Sequence, residues 1–247
     1  MTDIQGEALV WMQSVVKRRT QGDSVFELNV PEFCAWRGQL TAVVGESGCG
    51  KSTLLDLIAL VMKPTQANSF HLQVDEQQYN IADCWDRNDE PSLAAFRRHH
   101  LGYVLQTGGL LPFLSVADNI MLPARVKGMA VDGQRLNQLA QRLGIASCLT
   151  RKPDALSIGQ RQRVAILRAL IHAPALILAD EPTAAVDKTR AMSIMQELSM
   201  LAREEGQAVI IVTHDVGLVE TLADQTYGFE TTQLDEHVTQ SVCRRVG

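Results

Sequence analysis

The chain has 247 residues, of which 46% are hydrophobic and 21% charged, and its formal net charge at pH 7 is -5. A chain of this length can bury a sizeable core in one large domain or two closely packed ones, and the composition is that of an ordinary globular protein. The acidic balance argues against a nucleic-acid partner, because phosphate recognition normally shows as a basic excess. Any phosphate-binding site must therefore be local.

The cysteines and the hydropathy of the sequence favour a reducing, non-membrane setting. The five cysteines are scattered, odd in number and without a C-x-x-C pair, which disfavours a disulfide framework and a structural zinc site. We find no basic-then-apolar leader at the N-terminus and no apolar run near the ~18 residues that a membrane span requires. We therefore expect a cytoplasmic protein with reduced thiols.

Three short apolar runs predict the strands of a parallel sheet. Residues 39–44, 175–179 and 208–212 are rich in Val, Ile, Leu and Ala without polar alternation, as expected for strands covered on both faces. Each run ends at polar residues, and sheets of this kind place their chemistry at the carboxyl ends of strands. The sequence therefore predicts an α/β fold with functional groups after these strands.

The first predicted strand leads into a glycine-rich stretch, GESGCGKST, and then into an apolar helix predicted over 54–62. Strand, loop and helix in this order are typical of a P-loop, in which backbone amides wrap phosphates, Lys51 supplies a charge and the Ser52 hydroxyl reaches Mg²⁺. The candidate phosphate-binding residues are Gly45, Glu46, Ser47, Gly48, Cys49, Gly50, Lys51, Ser52 and Thr53.

Helical spacing dominates the chain between the first and second predicted strands. Leu136, Leu139, Ala140 and Leu143 form one apolar face, which predicts a helical subdomain of about residues 107–170 inserted into an α/β core. The core takes about residues 1–106 and 171–247, within one domain of residues 1–247. The acid-rich stretch 83–91 is predicted to be a surface loop, and the apolar stripe within 192–198 a core helix.

Two adjacent carboxylates, Asp180 and Glu181, end the second predicted strand in the sequence ALILADEP. Neighbouring strand positions point to opposite faces, so the two side chains are not expected to bind one ion in the same way. We assign Asp180 to Mg²⁺ and leave Glu181 to polarise an attacking water. The preference of helix N-termini for acids would explain one carboxylate but not the pair in company with a P-loop.

Polar side chains also follow strands at Gln106, after LGYVL, and at His214, after the third predicted strand. A single histidine is more often structural. Beside the other strand ends, however, His214 is a candidate to bond the γ-phosphate and to hold the water and Glu181 in register. Gln106 is a candidate to contact Mg²⁺ or the attacking water.

A second stretch suited to anions, LSIGQRQRV at residues 156–164, predicts a turn that leads into a basic amphipathic helix. Ser157 is a good N-cap and Gly159 leaves the backbone bare, which together favour anion binding at the start of a helix. The chain therefore contains two candidate anion sites.

In order and spacing, these motifs resemble the ATPase subunit of ABC systems over nearly the whole chain, including the LSIGQ signature and AAVD at 184–187. The resemblance implies a P-loop NTPase core with a mostly parallel sheet, a small antiparallel β subdomain, and hydrolysis of ATP with Mg²⁺. It also implies a head-to-tail dimer, in which the signature of one copy closes over the γ-phosphate held by the other's P-loop. The residues that it adds to nucleotide binding are Ser157, Gly159, Gln160 and Asp187.

The stretch after Gln106 is similar to that of the LolD/MacB group, whose ATPases serve membrane partners in lipoprotein extraction or in driving periplasmic machinery. This resemblance implies an integral membrane permease-type partner and a peripheral location on the inner face of the cell membrane. Residues 110–114 are a candidate groove for the partner's cytoplasmic helix, with simple core packing as an equal alternative.

Three positions depart from the family pattern or occupy variable sites in it. Arg19, with Phe26 as an alternative, stands where the family stacks an aromatic ring on adenine. A guanidinium can also stack on a base, with less discrimination between bases. A solvated turn over residues 17–19 explains the charges there equally well. Ile158 replaces a signature glycine, although Gly159 is kept for close approach. Cys49, beside Lys51 and a helix N-terminus, is expected to favour its thiolate.

Two other functions stay open at this point. An ABC ATPase of nucleic-acid repair would need a long coiled coil between the P-loop and the signature, and one of translation would carry two ATPase domains in one chain; the sequence shows neither. A slow ATP-sensing protein is suggested by Arg19 and Ile158. Glu181, His214 and Gln106 favour active hydrolysis instead.

Overall fold

The computed structural model describes residues 8–183 and 188–247. Its strands, in chain order, are β1 (Ala8–Gln21), β2 (Ser24–Trp36), β3 (Leu40–Val44), β4 (Gln66–Val74), β5 (Gln77–Asn80), β6 (Leu101–Val104), β7 (Leu176–Asp180), β8 (Ala208–Thr213), β9 (Gln225–Gln233) and β10 (Val238–Arg245). Its helices are α1 (Lys51–Ile58), α2 (Ile81–Asp86), α3 (Glu90–His100), α4 (Val116–Lys127), α5 (Gly133–Arg142), α6 (Ile158–Leu170), α7 (Lys188–Glu204) and α8 (Val216–Val219).

The described strands form one mixed ten-stranded sheet in the order β5-β4-β1-β2-β10-β9-β3-β8-β7-β6. The half that contains β9, β3, β8, β7 and β6 is parallel throughout. In the other half, β5, β4, β1 and β2 pair antiparallel, and β10 joins β2 in parallel and β9 in antiparallel fashion. The α/β prediction is confirmed, and the antiparallel part is continuous with the parallel part in one mixed sheet.

The three predicted strands are confirmed as β3, β7 and β8, each within one residue of the prediction at either end. They are apolar at successive positions because the sheet is covered on both faces. In β7, Ile177 and Ala179 face one buried cluster, which contains α6, while Leu176 and Leu178 face the other, which contains α1. This burial of both faces is the physical reason for the continuous apolar runs.

Two helix predictions need correction. The helix predicted over 54–62 begins earlier and ends earlier, because Gly50 caps α1 and the chain leaves the helix before Leu60, whose φ is +58°. The stretch 83–91 is not a loop: it lies mostly in α2 and α3, joined by a short turn. The side chains of Asn80 and Asp89 accept bonds from the backbone N–H groups of Asp83 and Ser92, so part of the local polarity is helix capping.

Residues 107–170, all of which are described, contain α4, α5, α6 and two 3₁₀ turns, Ala146–Cys148 and Pro153–Ala155, and no strand. Helix α5 is joined by ion pairs to the end of α7 and to the residue that follows it. Arg142 Nη1 lies 2.7 Å from Glu204 Oε2, and Arg135 Nη2 lies 2.9 Å from Glu205 Oε1. A helix with the length and hydropathy to span a bilayer is absent from residues 8–183 and 188–247.

Candidate functional site

A cavity of about 870 Å³ lies at the carboxyl ends of the parallel strands. The loop after β3 and the start of α1 form one part of its lining. Polar residues at the ends of β6 and β7 form a second part. The third part is the β1–β2 hairpin together with one residue of β10. The lining residues are Arg19, Thr20, Gln21, Ser24, Val25, Phe26, Ser47, Gly48, Gly50, Lys51, Ser52, Thr53, Gln106, Asp180, Glu181 and Thr239.

The loop after β3 has the backbone that a phosphate cradle needs. Gly48 has φ +82° and Gly50, the N-cap of α1, has φ +109°, a region that side-chain-bearing residues rarely adopt. Helix α1 then begins at Lys51, and the first turn of a helix leaves backbone N–H groups free for an anion. Lys51 Nζ donates to the carbonyls of Gly45 and Glu46, each at 2.7 Å, so the lysine lies across the loop.

The loop is held in place by residues distant in sequence. A Cβ atom on Gly50 would lie 3.1 Å from Cζ of Phe26, so this ring packs against the loop itself. Behind the loop, Ser241 Oγ of β10 donates to the carbonyl of Cys49 at 2.6 Å, and both residues are buried. Gly45, Glu46 and Cys49 belong to the predicted motif but do not line the cavity.

Asp180 and Glu181 both line the cavity, although adjacent strand positions would place them on opposite faces. Asp180 is the last residue of β7. Glu181 lies beyond it with φ +46°, so the strand alternation assumed from the sequence does not extend to this residue. A non-glycine residue at positive φ is strained, and such strain occurs at sites where the surrounding structure fixes it. Here the N–H of Glu181 donates to the carbonyl of Val212 at 2.9 Å.

The charge state of Asp180 is set by its surroundings. Burial raises the pKa of this carboxyl, and the neighbouring carboxylates Glu181 and Asp56 raise it further, while Lys51 acts in the opposite direction. Each of these negative groups makes ionisation of Asp180 more costly. A cation bound in the cavity would offset this cost, so the electrostatics favour binding of a positive ion here.

His214 contacts Glu181 directly. Its Nδ1 lies 2.8 Å from Oε1 of Glu181, and His214 follows β8 as Glu181 follows β7, so the two side chains meet because the strands are parallel neighbours. Glu181 is largely buried and His214 is exposed. A histidine in this position can orient a carboxylate and exchange a proton with it.

The oxygen donors of the cavity fit a magnesium ion. The Ser52 hydroxyl, the Gln106 amide and the Asp180 carboxylate all line it. In the described parts of the chain, no three His, Cys, Asp or Glu side chains come together as a metal cluster. The hydroxyl, amide and single carboxylate that line the cavity suit Mg²⁺, which typically uses one or two carboxylates together with waters and substrate phosphates.

The second predicted anion site lies elsewhere. Ser157 caps α6 in a capping box with Gln160, as the sequence predicted for the N-cap. Ser157, Gly159 and Gln160 line a separate cavity of about 310 Å³ with Arg163 and Ile194. None of these residues lines the larger cavity, so the two candidate anion sites lie in different cavities. Asp187 lies outside the described residues.

The end of the larger cavity beside the β1–β2 hairpin is polar and exposed. Arg19 is opposite Phe26 in the strand register, and both line the cavity. Sequence reasoning missed Thr20, Gln21, Ser24, Val25 and Thr239. The first four had no motif to mark them, and Thr239 reaches the cavity only because β10 pairs with β2, a long-range contact that local patterns do not show.

The expectation that Cys49 favours its thiolate is wrong. The residue is 6% exposed, and burial raises the pKa of its thiol, which outweighs the opposing influence of Lys51. The helix N-terminus does not overcome the loss of solvent.

We therefore expect a maleimide to leave most of the nucleotide-dependent activity intact, because a buried neutral thiol reacts slowly. Activity would be followed over time in the wild type and in Cys49→Ser. Rapid inactivation that nucleotide prevents, and that Cys49→Ser abolishes, would contradict this expectation.

Comparison with known proteins gives consistent similarities. A family model described as ABC transporter matches residues 28–184. The macrolide export ATP-binding/permease protein MacB 1 of Aeromonas hydrophila is 41% identical over 186 residues, which are 74% of this chain and 27% of that protein. The lipoprotein-releasing system ATP-binding protein LolD of Idiomarina loihiensis is 39% identical over 203 residues, 81% of this chain and 85% of that protein.

Among solved structures, a similar one is the dimeric ATP-binding cassette MJ0796 in a post-hydrolysis state with ADP and Pi. The TM-score is 0.75 at 32% identity, and the match covers 89% of this chain and 93% of that chain. The aligned region thus spans about a quarter of the MacB relative but most of the LolD relative and of the cassette.

Proposed function

The chain belongs to the ABC transporter family, and we propose that it binds and hydrolyses ATP as a head-to-tail dimer that drives a membrane partner. The observation that carries this proposal is the division of the site. One chain has a phosphate loop and two carboxylates in one cavity, with His214 in contact with one of those carboxylates, and a capped helix start with the signature in another cavity. The phosphate loop lines one cavity and the signature lines the other. Two copies arranged head to tail would bring the loop of each copy to the signature of the other and so complete two nucleotide sites.

In this proposal, the phosphates of ATP are bound by the backbone amides of residues 45–53 and by Lys51. Ser52, Gln106 and Asp180 would hold Mg²⁺, which neutralises developing charge on the phosphate oxygens. Glu181 accepts a proton from a water molecule while the oxygen of that water bonds to the γ-phosphorus. The bond between the γ-phosphorus and the ADP oxygen breaks, which gives ADP and phosphate. His214 keeps the carboxylate of Glu181 oriented toward that water, through the 2.8 Å contact.

The partner copy would supply Ser157, Gly159 and Gln160 to the γ-phosphate. We treat residues 107–170 as a helical subdomain inserted in a core of residues 1–106 and 171–247, within one cassette of residues 1–247. The helices of this stretch carry the signature at the start of α6.

The membrane partner is proposed from the two relatives. One is named for lipoprotein release and the other for macrolide export with a permease part. We propose an integral permease-type partner in a lipoprotein-extraction or mechanotransmission system, which would place this chain at the inner face of the cell membrane. The exposed Phe113 and the half-buried Leu110 and Leu111 offer apolar surface for such a contact.

A pull-down from membranes tests the proposal. Tagged Glu181→Gln protein is incubated with ATP and its associated proteins are identified, with the same variant in ADP as the matched control. Recovery of an integral membrane protein in the presence of ATP supports the proposal that the chain drives a membrane partner. Recovery of only soluble proteins or nucleic acid would favour a non-transport ABC ATPase instead.

A slow ATP-sensing role is the second candidate, and in the sequence it is suggested by the departure from the signature at Ile158. Its side chain is 50% exposed and does not line the cavity with Ser157 and Gly159, which argues that it does not obstruct phosphate. We expect Ile158→Gly to change turnover by less than about tenfold, because Gly159 already permits close approach. Steady-state phosphate release measures this, and a larger gain would indicate an attenuated signature and a sensor.

Base selectivity is expected to be weak. Arg19, Thr20, Gln21 and Ser24 are exposed, and exposed polar groups discriminate poorly because water replaces a missing hydrogen bond. The kcat/KM values for ATP and GTP should therefore differ by less than about tenfold. A strong preference for ATP would exclude Arg19 stacking as the main contact with the base.

A further inference from the structure

Arg168, near the C-terminal end of α6, binds the turn that carries Gln106. Its guanidinium donates from Nη1 to the carbonyl of Gly109 and from Nη2 to the carbonyl of Gly108, each at 2.6 Å. The side chain is half-buried, and burial lowers the pKa of Arg168. Two parallel bonds from a planar fork fix the direction of the bound segment as well as its distance, which a single bond would not do.

The bound segment is a tight turn with Gln106 at its corner. The N–H of Gly108 donates to the carbonyl of Leu105 at 2.8 Å, so Gln106 and Thr107 are the central residues of the turn. Gly108 and Gly109 have φ values of +74° and +56°. At Gly109 the positive φ is what favours glycine, because the nearest atom to an added Cβ, Cδ1 of Leu105 at 2.6 Å, belongs to an exposed side chain that can move aside.

The other end of α6 carries the signature. Ser157 caps the helix, and Arg168 lies about 16 Å further along its axis, at about 1.5 Å per residue. Gln106 lines the larger cavity with Lys51 and Asp180, while Ser157 and Gly159 line the smaller one. One helix therefore links a residue of the chain's own nucleotide site to the surface that, in the proposed dimer, meets the partner's nucleotide.

We propose that Arg168 is a positioning residue that holds the Gln106 turn on α6, so that Gln106 and the signature move as one unit. The inference rests on the proposed function. Gln106 reaches its own nucleotide site only when α6 is placed to present Ser157 and Gly159 to the partner. Arg168 contacts neither nucleotide and acts through the carbonyls of Gly108 and Gly109.

A double-mutant cycle on the full chain tests this role. Arg168→Lys keeps the charge but removes the fork, and we expect it to lower kcat for ATP by about tenfold or more, because small misplacements of a reacting group are costly. The KM for ATP should change less than about twofold, since the phosphate loop is untouched. Gln106→Ala should also lower kcat, and adding Arg168→Lys to it should cause no further loss.

The matched control is Lys127→Gln, which removes another bond from a basic side chain to a backbone carbonyl, that of His172 just beyond α6. It should leave kcat within about twofold of the wild type, since the Gln106 turn is not involved. Gly109→Ala is the second variant. Alanine disfavours the φ of +56° at this position and so disturbs the backbone whose carbonyl Arg168 binds, without changing Arg168. It should show the same kcat loss and the same dependence on Gln106. Melting temperatures show which variants are folded.

The proposal is overturned if folded Arg168→Lys and Gly109→Ala keep the wild-type kcat, if Gln106→Ala leaves kcat unchanged, or if the losses multiply in the double variants. Multiplied losses would mean that Arg168 acts on stability or on another group. A wild-type chain without ATP hydrolysis would instead contradict the proposed function, so the two failures are distinguishable.

Discussion

Replacing Glu181 by glutamine is expected to lower ATP hydrolysis by about 10²- to 10⁴-fold, the range found when a general base is removed. Glutamine keeps the size of the side chain and its bond to His214, but an amide does not accept a proton from water. The phosphate loop is unchanged, so ATP binding should persist. Because hydrolysis no longer separates the two copies, the variant should accumulate as a dimer in ATP and remain monomeric in ADP.

Phosphate release and light scattering measure the two parts of this prediction. The control is Glu205→Gln, which alters a carboxylate paired with Arg135 and outside the nucleotide cavity. That variant should hydrolyse ATP as the wild type does. If Glu181→Gln keeps more than about a tenth of wild-type turnover, Glu181 is not the base in this chain.

A single methyl group in β6 is expected to destabilise the fold. A Cβ atom on Gly102 would lie 2.2 Å from the backbone carbonyl oxygen of Ala169, so α6 has to move away from the sheet in Gly102→Ala. Backbone atoms do not move aside as a flexible side chain does. We expect the free energy of unfolding to fall by about 1–3 kcal/mol or more, as for other overpacked cores.

Denaturant unfolding of Gly102→Ala and Gly133→Ala measures the difference. Gly133 opens α5, has no positive φ and has nothing within 4 Å of a Cβ atom, so alanine there should be neutral or stabilising by about 0.4–1 kcal/mol. Equal stability of the two variants would mean that α6 does not pack closely on β6.

The sequence was sufficient to predict the strands that carry the chemistry, because burial on both faces imposes a pattern that no surface segment shares. The run at residues 208–212 is an example: Val209 and Ile211 face one core and Ile210 and Val212 the other. The same reasoning failed at 83–91. There, polarity arises partly from the caps and exposed faces of α2 and α3, and composition alone does not separate such helices from a loop.

Within the site, the residue types were predictable and their conformations were not. Glu181 was expected to follow strand alternation, but its φ of +46° brings it to the same cavity as Asp180. Cys49 was expected to be reactive because its sequence neighbours are favourable, yet packing removes it from solvent. The contribution of Ser241 depends on the pairing of β10 with β2, which no local pattern contains.

The strand order also constrains when the nucleotide site can form during synthesis. Strand β3, which leads into the phosphate loop, lies between β8 and β9, and β10 lies beside β2. A nascent chain therefore exposes β3 without either neighbour until residues beyond 200 have left the ribosome. ATP does not stabilise such an intermediate, because the nucleotide site is not yet assembled. Long-range pairing of this kind slows folding and prolongs the exposure of apolar strand edges.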